Sequence, residues 1–472
     1  MKHFFIYILL SSFSLSSFAQ VTTPLPRFLS PDNGGTEGGV KTIEGAGVVS
    51  GGRSAGPWSL RQCIEYALEH NISIKQQAVA VQNNELALST ARNSRLPSLN
   101  ASASQSFNFG RGQTIDGTYV NRNTQTTGVN LGTDIPLVTG FRIPNEIAAR
   151  RLDLQAAMAD LERARENIAL QVTSSYLEVL YQKELVAVQQ QQVELSKTQL
   201  DRIDRLFRNG KQSEADVAQA RSVVANDELS LTQQQNQLQL ALLDLSQLLE
   251  LPSPEGFDIE APSDSPEWGK ISNPDLWDTP AFLDRRPQIQ AERLRLESAE
   301  RNVKIARSGH YPTLNLSGGL GTSYYKTNGF EAESFRRQFE NNFNKYIGLS
   351  LNIPIFNRFQ TRNQVRQAQL QVQNQQLTLE NTQKTLYKEV QQAYYNAQAA
   401  QKQYEASGIA EEAAQTSFQL MQKKFENGKA NSTEFEEAKT RLLKAQADHL
   451  QAKYTALFRL RILRFYRGEP LY

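Results

Sequence analysis

The segment FRNGK at residues 207–211 returns as FENGK at residues 425–429, and DIPL at 134–137 returns as NIPI at 352–355. Both pairs are separated by the same 218 residues, counted for example from 207 to 425. Two different pieces repeated at one offset indicate that a whole structural unit was duplicated in tandem. The sequence therefore predicts two copies of one repeat, an arrangement that favours a symmetric assembly.

Composition excludes several classes of protein. The chain has 472 residues, a formal net charge of +2 and a single cysteine, Cys63, so no disulfide forms within it. Because the sequence has no strong basic cluster, nucleic acid is not expected as a partner. After the first 19 residues no apolar run approaches the roughly 20 residues that a membrane helix needs. The sequence is not that of a helical membrane protein.

The N-terminal region is predicted to be removed or flexible. Residues 1–19 combine a basic Lys2, an apolar run and a small-residue end at Ala19, as in a signal peptide. The mature chain is then expected to start at Gln20. Residues 20–57 are rich in Gly, Pro, Ser and Thr and are predicted to form a flexible leader.

Long helices carry the clearest periodicity in the chain. Apolar residues recur every seven positions from Val172 through Val179 to Phe207, and the second half repeats the pattern as far as Phe425. A seven-residue repeat predicts coiled-coil packing, and roughly 65 helical residues at 1.5 Å each reach on the order of 100 Å. Gly210 and Gly428 are expected to end these helices, so each half contains a helical hairpin.

Four segments show strand alternation. From Ser98 to Phe109, for example, Leu99 and Phe107 fall on one parity while Ser and Asn occupy the other. The lengths approach the roughly 9 to 11 residues of a tilted transmembrane strand, although a soluble β-sandwich layer with one wet face alternates in the same way. A spanning sheet has no open edges, and four strands are too few to close a barrel. On the membrane interpretation, several subunits share one barrel.

These patterns predict the following organisation. The first repeat covers 58–250, with a short helix, strands at 97–109 and 125–136, and a helical hairpin at 142–250. A proline-rich linker at 251–284 is expected to pack on the outside. The second repeat covers 285–468, with a short helix, strands at 312–325 and 345–354, and a hairpin at 358–467. Prolines are expected at the junctions of strands and helices, namely Pro97, Pro136, Pro312 and Pro354.

Signal peptide, duplicated strand pairs, long hairpins and glycine turns together resemble the TolC family of outer-membrane efflux and secretion conduits. The resemblance covers about Trp58 to Gly468. It implies a mainly α fold with a transmembrane β part. It also implies a homotrimer whose twelve strands form one barrel in the outer-membrane lipid and whose helices form a long coiled-coil tunnel in the periplasm.

The same resemblance implies a gate at the periplasmic end. An acidic residue follows each turn glycine by six positions, Asp216 after Gly210 and Glu434 after Gly428. Glu434 and Glu437 share a helix face and match the inward carboxylates that ring the closed entrance in the family, where they would attract cations. A solvated acidic face is the alternative.

Two positions depart from the family pattern at the gate. Some relatives carry an arginine where this chain has Ala430, and Phe425 stands where a tyrosine is often found. The network that keeps the entrance closed is therefore expected to differ, with packing and other polar pairs in its place.

The turns imply a partner as well. In the family, a periplasmic adaptor docks on the helical entrance and joins the channel to an inner-membrane transporter. The candidate docking residues here are Asn209, Gly210, Lys211, Asn427, Gly428 and Lys429.

Residue patterns for catalysis are missing from the sequence. Outside the signal peptide the histidines are His70, His310 and His449, which lack metal-ligand spacing, and no phosphate-binding or nucleophile motif occurs. The chain is therefore expected to have no metal, no cofactor and no enzymatic activity. The predicted function is a passive conduit for small toxic compounds. Type I protein secretion is the first alternative, and a periplasmic coiled-coil scaffold without transport is a second of a different class.

Overall fold

The computed structural model describes residues 56–113, 116–260 and 284–469. The predicted signal peptide at 1–19, nearly all of the leader at 20–57 and most of the linker at 251–284 lie outside the described residues. Within the described ranges, no helix is both long enough and apolar enough to cross a membrane.

The first repeat contains two short helices, a pair of long strands and a helical hairpin. In chain order these are α1 (Leu60–His70), α2 (Ile72–Asn93), β1 (Ser98–Asn108), β2 (Arg111–Gln113), β3 (Tyr119–Asn121), β4 (Thr124–Thr139), α3 (Arg142–Arg208) and α4 (Glu214–Leu248). Strands β2 and β3 form a small separate hairpin in the connection between β1 and β4.

The second repeat copies this order with small differences. Its elements are α5 (Pro287–Ser308), β5 (Thr313–Thr327), α6 (Phe335–Asn341), β6 (Asn344–Asn352), α7 (Gln360–Glu426) and α8 (Ser432–Tyr466). The long helices α3 and α7 both have 67 residues, and the returning helices α4 and α8 both have 35. The repeat that was inferred from short segments thus extends to whole elements.

Coiled-coil packing holds the hairpins together. Val172, Val179, Val186 and Val193 are buried along α3, as the seven-residue repeat predicts. Helix α3 packs against α4, and α7 packs against α8 in the same way.

The helix predicted at the start of the first repeat is in fact two helices. Asn71 ends α1 and also caps α2, because its side chain accepts a hydrogen bond from the Ser73 N–H at 2.9 Å. Its extended backbone (φ −60°, ψ 131°) cannot continue a helix. The side chain of Asn71 also donates to the Leu248 carbonyl at 3.0 Å, which ties this break to the end of α4.

The four long strands form one antiparallel sheet in the order β1-β4-β5-β6. The two repeats meet inside it, because β4 of the first pairs with β5 of the second, from Thr124 opposite Thr327 to Thr139 opposite Thr313. Strands β1 and β6 are the edges within one chain. Many apolar side chains of the sheet are exposed, including Leu99, Val129, Leu131, Ile347, Leu349 and Leu351.

The prediction that Pro136 marks a junction is wrong by a few residues. Pro136 lies within β4, at an irregularity in the pairing with β5, and the strand continues to Thr139. A proline is tolerated there because the pairing with β1 ends at Asp134 and the register with β5 shifts directly after Pro136. Pro97 and Pro312 directly precede β1 and β5, and Pro354 follows the end of β6 by two residues.

The actual turn from strand to helix uses two consecutive left-handed residues in each repeat. Gly140 and Phe141 have φ values of 57° and 66°, and Arg358 and Phe359 have 54° and 62°. A hypothetical Cβ at Gly140 would lie 2.8 Å from the Ser308 carbonyl oxygen, so this joint has no room for a side chain.

The largest apolar core lies where α1, α3, α4 and the start of the linker meet. Cys63, Val179 and Leu245 belong to it, and so does Ile259, which is only 2% exposed. The backbone N–H of Trp58 donates to the Asp258 carbonyl at 2.8 Å, and the backbone carbonyl of Trp58 accepts from the Glu260 N–H at 3.0 Å. The expectation that the linker packs on the outside is therefore wrong for its described beginning, since a β-bridge draws Ile259 into the core.

Candidate functional site

Both hairpin turns adopt the same backbone conformation. Gly210 and Gly428 have φ values of 70° and 67°, a left-handed conformation that glycine adopts without strain. The N–H of Gly210 donates to the Phe207 carbonyl at 2.8 Å, and the N–H of Lys211 donates to the Leu206 carbonyl at 2.9 Å. These bonds satisfy carbonyls at the end of α3, and equivalent bonds do so at the end of α7.

The candidate docking residues at the turns are exposed. They are Asn209, Gly210 and Lys211 in the first turn and Asn427, Gly428 and Lys429 in the second. Space around both glycines is open, since a Cβ at either would meet nothing within 4 Å. The turns thus expose backbone groups, asparagine amides and lysine ammonium groups.

The two predicted gate acids nearest the turns cap the returning helices. Ser213 and Asp216 form a capping box at the start of α4, and Asn431 and Glu434 form one at the start of α8. The Glu434 carboxylate accepts from the Asn431 N–H at 3.0 Å. Side-chain and backbone hydrogen bonds from Ser213 lower the pKa of Asp216 below the usual range of an aspartate. Each acid therefore has a structural role besides any role in a gate.

Phe425 is held by aromatic packing near the second turn. Its ring stacks on that of Phe435 with centroids 4.8 Å apart, and the ring centroids of Phe418 and Phe435 are 5.6 Å apart. Phe435 is buried, and the group also includes Ala438 and Leu442 of α8. This packing fixes the returning helix against α7 close to Glu434 and Glu437.

Contacts also join the two hairpins near their turns. The guanidinium of Arg202 on α3 donates to the Glu426 carbonyl at 2.6 Å and lies 5.9 Å from the centroid of the Phe425 ring. Phe425, which lacks the hydroxyl of a tyrosine, thus contacts the first hairpin through its ring face.

A buried polar cluster lies next to this contact, and sequence reasoning missed it. The ammonium of Lys439 on α8, 3% exposed, donates to Ser196 Oγ on α3 at 2.7 Å and to Asp227 Oδ2 on α4 at 2.9 Å. It also donates to Glu436 Oε2 at 3.1 Å, and Ser196 donates to Asp227. We call these four residues the Lys439 cluster. One signal was visible, because a charged residue stands at an otherwise apolar repeat position between Phe435 and Leu442.

A cavity of about 450 Å³ separates the two hairpins beside the Lys439 cluster. Asp216 and Phe425, from different hairpins, both line it, together with Ser196 and Glu436. Glu437 lies in a different groove and forms an exposed ion pair with Arg441 at 3.2 Å. The structure thus brings Asp216 and Phe425 together, while Glu434 and Glu437 follow one another along the first turns of α8.

The site offers hydrogen-bonding and charged groups but no metal-binding cluster. In the part of the chain that the structure describes, no three His, Cys, Asp or Glu side chains are arranged to hold a metal ion.

Comparisons with known proteins agree with this architecture. The family model described as outer membrane efflux protein matches residues 63–250 and 280–469. The chain is 26% identical over 310 residues to the pyoverdine export outer membrane protein OpmQ of Pseudomonas putida, which covers 64% of this chain and 63% of OpmQ. It is 26% identical over 313 residues to the outer membrane protein TolC of Salmonella enteritidis, covering 64% of this chain and 62% of TolC. The matched region thus spans less than two thirds of either relative.

The fold of this chain is also similar to that of CusC, a protein whose crystal structure is known. The crystal structure of CusC has a TM-score of 0.73 and 19% sequence identity, and the alignment covers 87% of this chain and 92% of CusC. The expected fold class, mainly helical with a duplicated unit and a sheet, is confirmed by the described elements and this similarity. Since the family model matches both repeats over most of their length, the chain belongs to the outer membrane efflux protein family.

Proposed function

We propose that this protein is the outer-membrane channel of a tripartite export system and a passive conduit for small toxic compounds. One observation carries the proposal: a sheet with two open edges continues directly into two helical hairpins of 67 and 35 residues per helix. As a member of an outer-membrane efflux family, the protein is located in the outer membrane and is not an enzyme.

Closure of the sheet requires further copies. Edge strands β1 and β6 have unpaired backbone groups within one chain, and such groups are costly in lipid. About eight strands is the practical minimum for a membrane barrel, so one copy is too small. Three copies with four strands each make the twelve-stranded barrel of a homotrimer, and the exposed Leu and Ile side chains would face lipid.

The turns are the proposed docking site of a periplasmic adaptor that connects the channel to an inner-membrane transporter. Their exposure and their two similar copies per chain support this role. A chain without a catalytic motif depends on such a transporter for the energy of export. Small cargo is favoured by the similarity to OpmQ, a pyoverdine export protein.

Deletion of the gene tests the function. We expect the deletion strain to become more susceptible to toxic compounds and the wild-type gene to restore resistance, with secreted protein levels unchanged. As a control, the cells also express a variant in which both Gly210 and Gly428 are replaced by proline, which has no N–H for the turn bonds and cannot adopt a positive φ. That variant should reach the membrane without restoring resistance.

Two other outcomes would contradict the proposal. A fall in secreted proteins with unchanged susceptibility would favour type I secretion. A soluble, elongated monomer in place of an oligomer in outer-membrane fractions would favour the scaffold.

A further inference from the structure

The apolar face of the four-stranded sheet contains a groove. Side chains from all four strands line it, and they include Leu99, Leu131, Leu320 and Ile347. Gly318 pairs with Ile347 in the same groove and leaves part of its floor without a side chain. The volume of about 530 Å³ lies within the roughly 300–1,000 Å³ of ligand-binding pockets. The groove therefore has the size and the mainly apolar lining to hold a hydrocarbon chain.

One cation, Lys345, also lines the groove. Its register partner is Leu320, which pairs on its other side with Leu131, so the lysine stands beside two leucines on the apolar face. Lys345 is exposed and forms no ion pair with any residue in the described ranges. A cation at a lipid-facing position is costly unless its ammonium group reaches the polar interface or an anion.

Lys345 lies at the end of the sheet that is remote from the helices. Strand β6 begins at Asn344 and runs toward α7, so Lys345 is its second residue. In the proposed barrel the helices are in the periplasm, and the remote end of the sheet therefore lies in the outer leaflet of the membrane. An extended lysine side chain at this end reaches the level of the lipid headgroups.

We propose that the groove binds an acyl chain of a lipid of the outer leaflet and that Lys345 pairs with a phosphate group of the same lipid. The inference rests on the proposed barrel, in which this face of the sheet meets lipid. The outer leaflet of an outer membrane is rich in lipopolysaccharide, whose lipid A part carries several acyl chains and phosphate groups on a disaccharide. Lipid A matches both features of the site, an apolar groove and a cation at its outer end.

A second lysine on the same face provides a comparison. Lys326 has the same parity in β5 as Leu320, is exposed and pairs with Gln125, farther from the helices. It does not line the groove. A lysine that only reaches the headgroup level would act alike at either position, whereas a phosphate-binding lysine is needed only beside the groove. Replacing each lysine by glutamine separates the two roles.

Native mass spectrometry of the full-length oligomer, extracted from membranes in a mild detergent, tests the retention of lipid. We expect the wild type to retain one lipid A-containing molecule per chain, and Lys326→Gln to retain as much. Lys345→Gln should bind added lipid A roughly tenfold more weakly, because a charge-assisted bond to phosphate is lost. Lipid A without its phosphates should bind the wild type as weakly as intact lipid A binds Lys345→Gln.

Three results would overturn the inference. The first is equal binding of lipid A by the two glutamine variants. The second is equal binding of lipid A and its dephosphorylated form by the wild type. The third is a wild-type oligomer that retains only phosphatidylglycerol or another lipid in place of lipid A.

A further variant fills the groove while leaving Lys345 in place. A Cβ at Gly318 would lie 3.5 Å from Thr133 Cγ2, an ordinary contact, so Gly318→Leu is sterically possible. The matched control is Ala103→Leu, which adds the same bulk to the apolar face opposite Val129 and outside the groove. We expect Gly318→Leu to bind lipid A roughly tenfold more weakly than Ala103→Leu, since its side chain occupies the space of the acyl chain. Equal binding by the two leucine variants would contradict the proposal.

Failure of the proposed barrel gives a different result. In that case no oligomer is recovered from outer-membrane fractions, for the wild type or for any variant. A wild-type oligomer that is recovered there without lipid A would refute the lipid site alone. Because lipid binding is measured without cargo, the result does not depend on which compounds the channel exports.

Discussion

At the scale of single residues, the acids near the second turn have two roles that a test must separate. Glu434 caps α8 through its carboxylate, while Glu437 is paired only with the exposed Arg441. Replacing Glu434 by alanine would therefore remove the cap together with the charge. A glutamine at position 434 has a side chain of the same length, keeps a hydrogen-bond acceptor and removes only the charge.

We predict that Glu434→Gln combined with Glu437→Gln abolishes the cation selectivity of the purified channel, because rings of carboxylates favour cations in a narrow aperture. Conductance in planar bilayers with a salt gradient measures this. The matched control is Glu405→Gln with Glu412→Gln, which replaces two exposed acids on α7. If selectivity is unchanged in the first variant, the gate assignment is wrong.

A second residue prediction concerns Lys439. Lys439→Ala leaves Asp227 and Glu436 without their buried cation, and breaking such a pair costs about 3 kcal/mol. Its equivalent in the first repeat, Arg221, is exposed, so Arg221→Ala should change stability by about 0.5 kcal/mol or less. Denaturant unfolding of both purified proteins makes the comparison. Equal losses would show that the cluster is not a stabilising contact.

At the scale of elements, the joints between strand and helix are under steric constraint. Gly140→Ala would place a methyl group 2.8 Å from both the Ser308 carbonyl oxygen and Tyr311 Cβ, at a positive φ. We expect a loss of roughly 3 kcal/mol from strain and crowding together.

The turn glycine provides the control for this joint. Gly210→Ala has the same kind of φ but open space, and should cost only about 1 kcal/mol. Thermal unfolding of the Gly140→Ala and Gly210→Ala proteins compares their losses of stability. A larger loss for Gly210→Ala would show that the joint at Gly140 accommodates a methyl group easily.

The edge strand β6 allows a test of which face meets lipid. Ile347, 86% exposed, belongs to the apolar parity, and Ser350 belongs to the polar one. Ile347→Arg would cost about 2–4 kcal/mol if it lies near the bilayer midplane, and should reduce heat-resistant oligomers in outer-membrane fractions. Ser350→Arg should assemble normally and alter conductance instead. Normal assembly of both variants would contradict the proposed barrel.

At the scale of the whole molecule, the proposed trimer is the feature that most needs direct observation. Single-particle imaging of the detergent-extracted protein should show threefold symmetry and helices on the order of 100 Å long, as 67 residues require. Classes with one copy or with no threefold axis would refute the shared barrel.

Local sequence was sufficient for much of the fold because its signals are local and strong. Seven-residue periodicity, alternating strands and turn glycines predicted the hairpins, the strands and their duplication. The break at Asn71 was missed, since one polar residue interrupts an otherwise continuous helical pattern. Pro136 was misplaced as a junction because the strand continues past it through pairing with β5, a distant segment.

The sequence by itself determined the repeat, the helical hairpins, the capped turns and the family, because each depends on residues close together or on an internal copy. Only the tertiary structure decided that Ser196, Asp227 and Lys439 form one buried cluster and that Ile259 of the linker joins the core. Those contacts link residues far apart in the chain, and their energies depend on burial that no local pattern reports.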